Sequence, residues 1–163
     1  MIKHHKEVST MKNRRGLTAV AMAGMMGAIT LASSFSAYAA AGWVQSGNTY
    51  VYYDSDGSLH KGWVNASNGY YYTDLSTGQM VTGWKQINNN WYYFQADGLM
   101  ATGWVQDGGK YYYTLTDGTM HKNGWVNIGS DYYYMGSDGA MVTGWQTIDE
   151  KRYYFDSSCA LRT

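Results

Sequence analysis

The sequence predicts an all-β chain, a solenoid of six tandem β-hairpins of ~20 residues, and three observations carry that expectation. First, the dipeptide Gly-Trp recurs at Gly42-Trp43, Gly62-Trp63, Gly83-Trp84, Gly103-Trp104, Gly124-Trp125 and Gly144-Trp145, at spacings of 20, 21, 20, 21 and 20 residues. Second, each Gly-Trp leads into a turn, an aromatic run and a second turn. Third, all but Phe35 and Tyr38 of the 17 Tyr, 7 Trp and 3 Phe lie from residue 40 onward, where Leu, Ile, Val and Phe supply only 17 of 124 residues. A core here has to be built from rings.

Residues 1–39 read as a signal peptide. Lys3, Lys6, Lys12, Arg14 and Arg15 make a basic start, Leu17 to Phe35 carry no charge, and Ser36-Ala37-Tyr38-Ala39 sets small residues before a cut after Ala39. Met11-Lys12-Asn13-Arg14-Arg15 offers Met11 as a second, more compact start. Only eight of the 19 uncharged residues are strongly apolar, so cleavage is expected rather than a stable membrane span. The remaining 40–163 form the repeat domain, divided at 42–61, 62–82, 83–102, 103–123, 124–143 and 144–163. It carries 7 basic and 11 acidic side chains, a balance that disfavours a nucleic-acid surface.

Numbering each repeat from its Gly, positions 6 to 8 are turn formers, as in Gly47-Asn48-Thr49 or Asn88-Asn89-Asn90. Position 9 opens the aromatic run, as in Tyr70-Tyr71-Tyr72 and Trp91-Tyr92-Tyr93-Phe94. A second turn follows at Asp56-Gly57, Thr77-Gly78, Asp97-Gly98, Asp117-Gly118 and Asp138-Gly139. Each repeat is therefore a β-hairpin with a connector. A 20-residue hairpin has no core of its own and needs its neighbours. Alternation along the strand separates positions 10 and 12, where Val, Phe and Met occur, from positions 9 and 11, which are nearly all amphipathic rings. The first set is expected inside, and the second is expected to line a partly wet groove.

Gly-Trp, short turn, aromatic triplet, Asp-Gly, Met and a Thr before the next Gly-Trp resembles the cell-wall-binding repeat of Gram-positive surface proteins, best known as the choline-binding repeat. The resemblance runs over residues 42–163. It implies a left-handed solenoid in which choline of teichoic acid sits between hairpins in a box of three aromatics. Carried onto this chain, the implied boxes are Trp43, Tyr50 and Tyr72; Trp63, Tyr70 and Tyr93; Trp84, Trp91 and Tyr113; Trp104, Tyr111 and Tyr134; and Trp125, Tyr132 and Tyr154. Leu59, Met80, Met100, Met120 and Met141 are the implied pocket floors. A quaternary ammonium forms no strong hydrogen bond, so ring faces must hold it, at about 0.5–2 kcal/mol each. Several weak sites on one polymer then gain by effective concentration.

Carbohydrate is the alternative ligand. The last repeat is similar to the short repeats of clostridial toxins, and related repeats of streptococcal glucosyltransferases bind glucan. A sugar stacked on a ring needs polar partners such as Gln45, Asn65, Gln86, Gln106 and Asn127. A structural or adhesive surface is a third reading. Catalysis finds no support: His60 and His121 stand at equivalent positions and are expected to be solvated, no His or Cys pair has metal spacing, and no cofactor is implied. The expected product is a secreted, non-catalytic, cell-wall-associated protein whose partner is choline-bearing teichoic acid or a surface glycan. Repeat six, with Arg152 at position 9 and Cys159 replacing a turn Gly, is expected to cap the array.

Overall fold

The six hairpins form because every one of them closes through a two-residue loop, the length that best joins antiparallel strands. The computed structural model describes residues 10–12, 18–20 and 41–162. After β1 (Thr10–Lys12) and β2 (Thr18–Val20), which pair antiparallel, come the hairpins β3 (Gly42–Ser46) with β4 (Thr49–Tyr53) and β5 (Gly62–Ala66) with β6 (Gly69–Thr73). β7 (Gly83–Ile87) pairs with β8 (Asn90–Phe94), and β9 (Gly103–Asp107) with β10 (Lys110–Thr114). β11 (Gly124–Ile128) pairs with β12 (Asp131–Met135), and β13 (Gly144–Ile148) with β14 (Lys151–Phe155), to which the short β15 (Leu161–Arg162) adds a third strand. No helix occurs among the described residues. The expected cleavage after Ala39 lies outside them.

The loops are tighter than the three turn positions expected from the sequence, because position 8 already belongs to the second strand. Asn88-Asn89, Gly108-Gly109 and Asp149-Glu150 have positive φ at both residues, as a type I′ turn requires. Register is identical in all six hairpins: the Trp faces the ring at position 11, as in Trp43↔Tyr52 and Trp104↔Tyr113.

The connector turns repeat as faithfully. In the fourth repeat the Gly118 amide donates to Leu115 O at 2.9 Å and the Thr119 amide to Asp117 Oδ1 at 2.9 Å. Ala140 with Asp138 and Ser158 with Asp156 make the same side-chain bond at 3.0 and 2.8 Å. The Asp is therefore chosen to close its own backbone turn. The extra residue of repeat two lies inside this turn, where the Gly78 amide reaches Asp74 O, and that of repeat four is Asn123, at φ 50°. Both insertions fall in loops, so no strand register shifts.

The chain divides into two units, residues up to Met80 and residues from Val81 onward. From the second repeat to the sixth, position 12 is the innermost: Thr73, Phe94, Thr114, Met135 and Phe155 are essentially inaccessible, whereas in the first repeat Val51 is buried and Tyr53 half-buried. The two threonines are satisfied, with Thr73 Oγ1 donating to His60 O at 2.9 Å and Thr114 Oγ1 to Ala101 O at 3.0 Å.

Candidate functional site

Hairpins within a unit are joined by their connectors, and this joint places the rings. The Met120 amide donates to Trp91 O at 2.7 Å while the next amide, His121, donates to Tyr113 O at 2.7 Å. Met141 and Val142 repeat the pattern on Tyr111 O and Tyr134 O, and Met80 bonds Tyr50 O in the first unit. Position 9 of one hairpin and position 11 of the next are thereby clipped to adjacent residues of one connector.

Each inner Trp stands between two Tyr rings. Trp84 lies 5.0 Å from Tyr93 of its own hairpin and 4.9 Å from Tyr112 of the following one. Trp104 meets Tyr113 and Tyr133 at 5.1 and 5.2 Å, and Trp125 meets Tyr134 and Tyr153 at 5.2 and 5.0 Å. In the first unit Trp43 meets Tyr52 and Tyr71, both at 5.2 Å. All of these pairs are edge-to-face, an arrangement worth about 0.5–1.5 kcal/mol per pair beyond area burial.

The implied boxes are distributed as follows. Trp91 with Tyr113, and Tyr111 with Tyr134, are brought together through their shared connectors, while the ring neighbours of Trp84 and Trp104 are the Tyr pairs above. Trp43 is placed against Tyr71 rather than in ring contact with Tyr50 or Tyr72, and Tyr72 is buried. Trp63 meets Tyr70 at 6.4 Å and Tyr72 at 5.2 Å, and Tyr93 belongs to the second unit. Trp125 contacts Phe155, while Tyr132 and Tyr154 are exposed. Tyr70, Trp91, Tyr111 and Tyr132, all at position 9, are 38–50% exposed.

The floor residues pack back on position 12, through bridges such as Phe94↔Met100, Thr114↔Met120 and Met135↔Met141. Leu59, Met100 and Met120 also lie against Gly78, Gly118 and Gly139 of the next repeat, so closely that a Cβ there would overlap them. Those glycines serve both a positive φ and a close approach.

Position 10 is the class that strand alternation assigned to the interior. Tyr71 is buried, but Tyr92, Tyr112, Tyr133 and Tyr153 are half-buried, and Tyr71, Tyr112, Tyr133 and Tyr153 touch the Trp of the preceding repeat. The reason is that a stacked hairpin is covered on both faces, so the inner face of one hairpin meets the Trp face of its predecessor. Tyr in five of six repeats at this position was the available signal, since a hydroxyl suits a ring cluster with one wet side better than a closed core.

The two histidines differ from the expected solvated state. His60 is half-buried, with Nδ1 2.9 Å from Asp54 Oδ1 and Nε2 2.8 Å from Trp63 O. At the equivalent His121 the acid is replaced by Leu115, and Nε2 is buried without a partner against Gly124. Among the described residues no group of three or more His, Cys, Asp or Glu is placed to hold a metal.

A repeating ring cluster on clipped hairpins defines a class of ring-lined binding module, and comparison gives the family. The choline-binding repeat model matches residues 81–125 and 122–159, and a cell wall binding repeat model matches 61–80. The chain belongs to the choline-binding repeat family. CbpJ from Streptococcus pneumoniae TIGR4 is 36% identical with a TM-score of 0.69, over 76% of this chain and 46% of that one. Choline binding protein F from Streptococcus pneumoniae is 38% identical with a TM-score of 0.66, over 76% and 42%. The modular autolysin LytC of the same species, solved in complex with a synthetic peptidoglycan ligand, is 26% identical with a TM-score of 0.55, over 75% and 33%. These matches place the tandem hairpins in the choline-binding repeat solenoid class. The chain thus spans less than half the length of these solved relatives. No curated protein sequence matches it.

Proposed function

We propose that this chain is an exported, non-catalytic cell-wall-binding module whose aromatic clusters take the choline of teichoic acid. The observation that carries the reading is the Trp held between Tyr rings of two consecutive hairpins at 4.9–5.2 Å, with an exposed ring at position 9. Such clusters offer π-faces and little hydrogen bonding, the chemistry a quaternary ammonium needs. Family membership and the relatives' choline-binding names support it. No role in a reaction is assigned to any side chain, and in LytC, an autolysin, the match covers a third of the chain.

A glycan is the second reading, favoured by one feature of the register. Each position-9 ring lies directly opposite a side-chain amide, as in Gln86↔Trp91 and Gln106↔Tyr111, which sets a hydrogen-bonding group beside a stacking platform. Residues 40–163 passed over a choline resin are expected to bind and to elute with free choline. Retention on dextran or cell-wall glycan alone would reverse the order, and retention on neither would point to the adhesive role.

Trp84, Trp91 and Tyr113 include two indoles and are expected to form the tightest site. Trp91→Ala should weaken choline binding more than Tyr50→Ala. Saturation of Trp43 or Trp125 at lower choline than Trp84 would refute that ranking.

A further inference from the structure

Position 9 carries an aromatic ring in five repeats and Arg152 in the sixth. Trp145 pairs across the β13–β14 hairpin with Tyr154 and Arg152 pairs with Thr147, which sets Arg152 diagonal to Trp145 on the Trp face. The Arg152 Cζ lies 4.6 Å from the Trp145 ring centroid, inside the range of a cation–π contact. This Trp differs from the inner ones in its cover. It is 62% exposed, whereas Trp104 and Trp125 are 40% and 37% exposed, and its ring partner is Tyr154 at 5.3 Å, tilted by 51°. A guanidinium is permanently charged and its plane stacks on rings, so it is a fitting tenant for an indole face that lacks a second tyrosine.

We propose that Trp145 is a latent sixth cation-binding ring held closed by the chain's own Arg152, whose guanidinium occupies the place a quaternary ammonium would take. The proposal rests on the choline reading. A tethered cation acts at an effective concentration on the order of millimolar or above, comparable to the weak affinity of a single ring cluster for a free cation. External ligand therefore competes poorly at this ring, and Arg152 sets the number of working sites. Position 9 is then a selector: a ring there adds a wall to a cation site, and an arginine fills the site.

The test follows individual indole N–H signals of the full chain by NMR during titration with choline chloride, and with tetramethylammonium as a second probe. In the unaltered protein the Trp84 and Trp104 signals are expected to move first and the Trp145 signal to lag behind them. In Arg152→Ala and Arg152→Tyr the Trp145 signal should respond earlier, with half-saturation at least about twofold lower than in the parent. Arg152→Lys, which keeps a charge but not the planar stack, should fall between. Unchanged Trp84 signals before titration show that the variants are folded. A Trp145 signal that responds equally with and without Arg152, or stays silent in both Arg152→Ala and Arg152→Tyr while Trp84 and Trp104 respond, overturns the latent site and leaves the choline reading standing. Silence of every Trp in every variant removes the choline reading and this proposal together.

Discussion

The fourth and fifth repeats and the sixth share one hairpin register and differ in what covers them. Trp104↔Tyr113, Trp125↔Tyr134 and Trp145↔Tyr154 are the same pairing. The Trp104 and Trp125 indoles gain a tyrosine from the next hairpin, while Trp145 has Arg152 across its face. The turn changes too: Gly118 and Gly139 give way to Cys159, a buried non-glycine at φ 64°, and β15 is added along β14. Register is thus a property of one hairpin and its loop, whereas cover is a property of the neighbour. The sixth repeat is covered by its own chain, through Arg152, β15 and the Arg162–Asp156 ion pair.

Removing residues 144–163 breaks this comparison most severely. It strips Tyr153 and Phe155 from Trp125, and Phe155 is fully buried. The loss is expected to cost at least what truncating one buried Phe does, about 3–5 kcal/mol, with any choline response of Trp125 lost as well. Urea unfolding of the shortened chain measures the first effect. A midpoint and slope equal to the parent's would mean that the terminal hairpin stabilises nothing inward of itself.

Exchanging the turn residues sharpens it. Gly118→Cys places a side chain at φ 83° and drives its Cβ into Met100, so a loss of about 2 kcal/mol or more is expected. Cys159→Gly relieves a strained φ of similar cost but gives up a buried thiol, and should stay within about 1 kcal/mol of the parent. Equal losses in both would show that the terminal turn is built like the inner ones. The Cys159 thiol pKa is raised, first by burial and then by the Asp156 charge, so alkylation near neutral pH should be slow.

The smallest effect concerns acid. The Ser158 hydroxyl, with the Arg162 guanidinium and the Ala160 and Ser158 amides, lowers Asp156 to about 2 from an ordinary 3.8. Asp138 is also lowered, chiefly by the Ala140 amide and also by Lys110. Because the folded value lies below the unfolded one, this stabilisation is present above about pH 3.8 and fades as pH falls through about 2. Asp156→Asn should flatten the acid dependence of melting over that window, and an unaltered slope there would contradict it. Asp138 is exposed, and the half-buried Asp156 is paired with an exposed Arg162, so the change should be slight.

Much of the architecture was legible because it is local. Two-residue loops, Asp-Gly turns and a period of 20 or 21 residues need only neighbouring backbone, and Thr73, Phe94 and Met135 at position 12 follow from strand alternation. The boxes were less legible. The partnership of Trp84 with Tyr112 depends on how one hairpin sits on the next, and alternation within a strand contains no such information. His60 and His121 make the same point: at equivalent positions one imidazole bonds Asp54 and the Trp63 carbonyl, while the other leaves Nε2 buried without a partner.

The sequence by itself determined the all-β hairpin repeat and its aromatic chemistry, since these rest on turn propensity and on side chains repeating at fixed intervals. Only the tertiary structure decided that position 10 joins the Trp cluster, that the Met120-His121 and Met141-Val142 connectors each clip two hairpins through consecutive amides, and that Arg152 lies on Trp145. The reason is that a stacked ribbon has two buried faces, and which ring meets which is set by the offset between hairpins rather than by the order of residues within one.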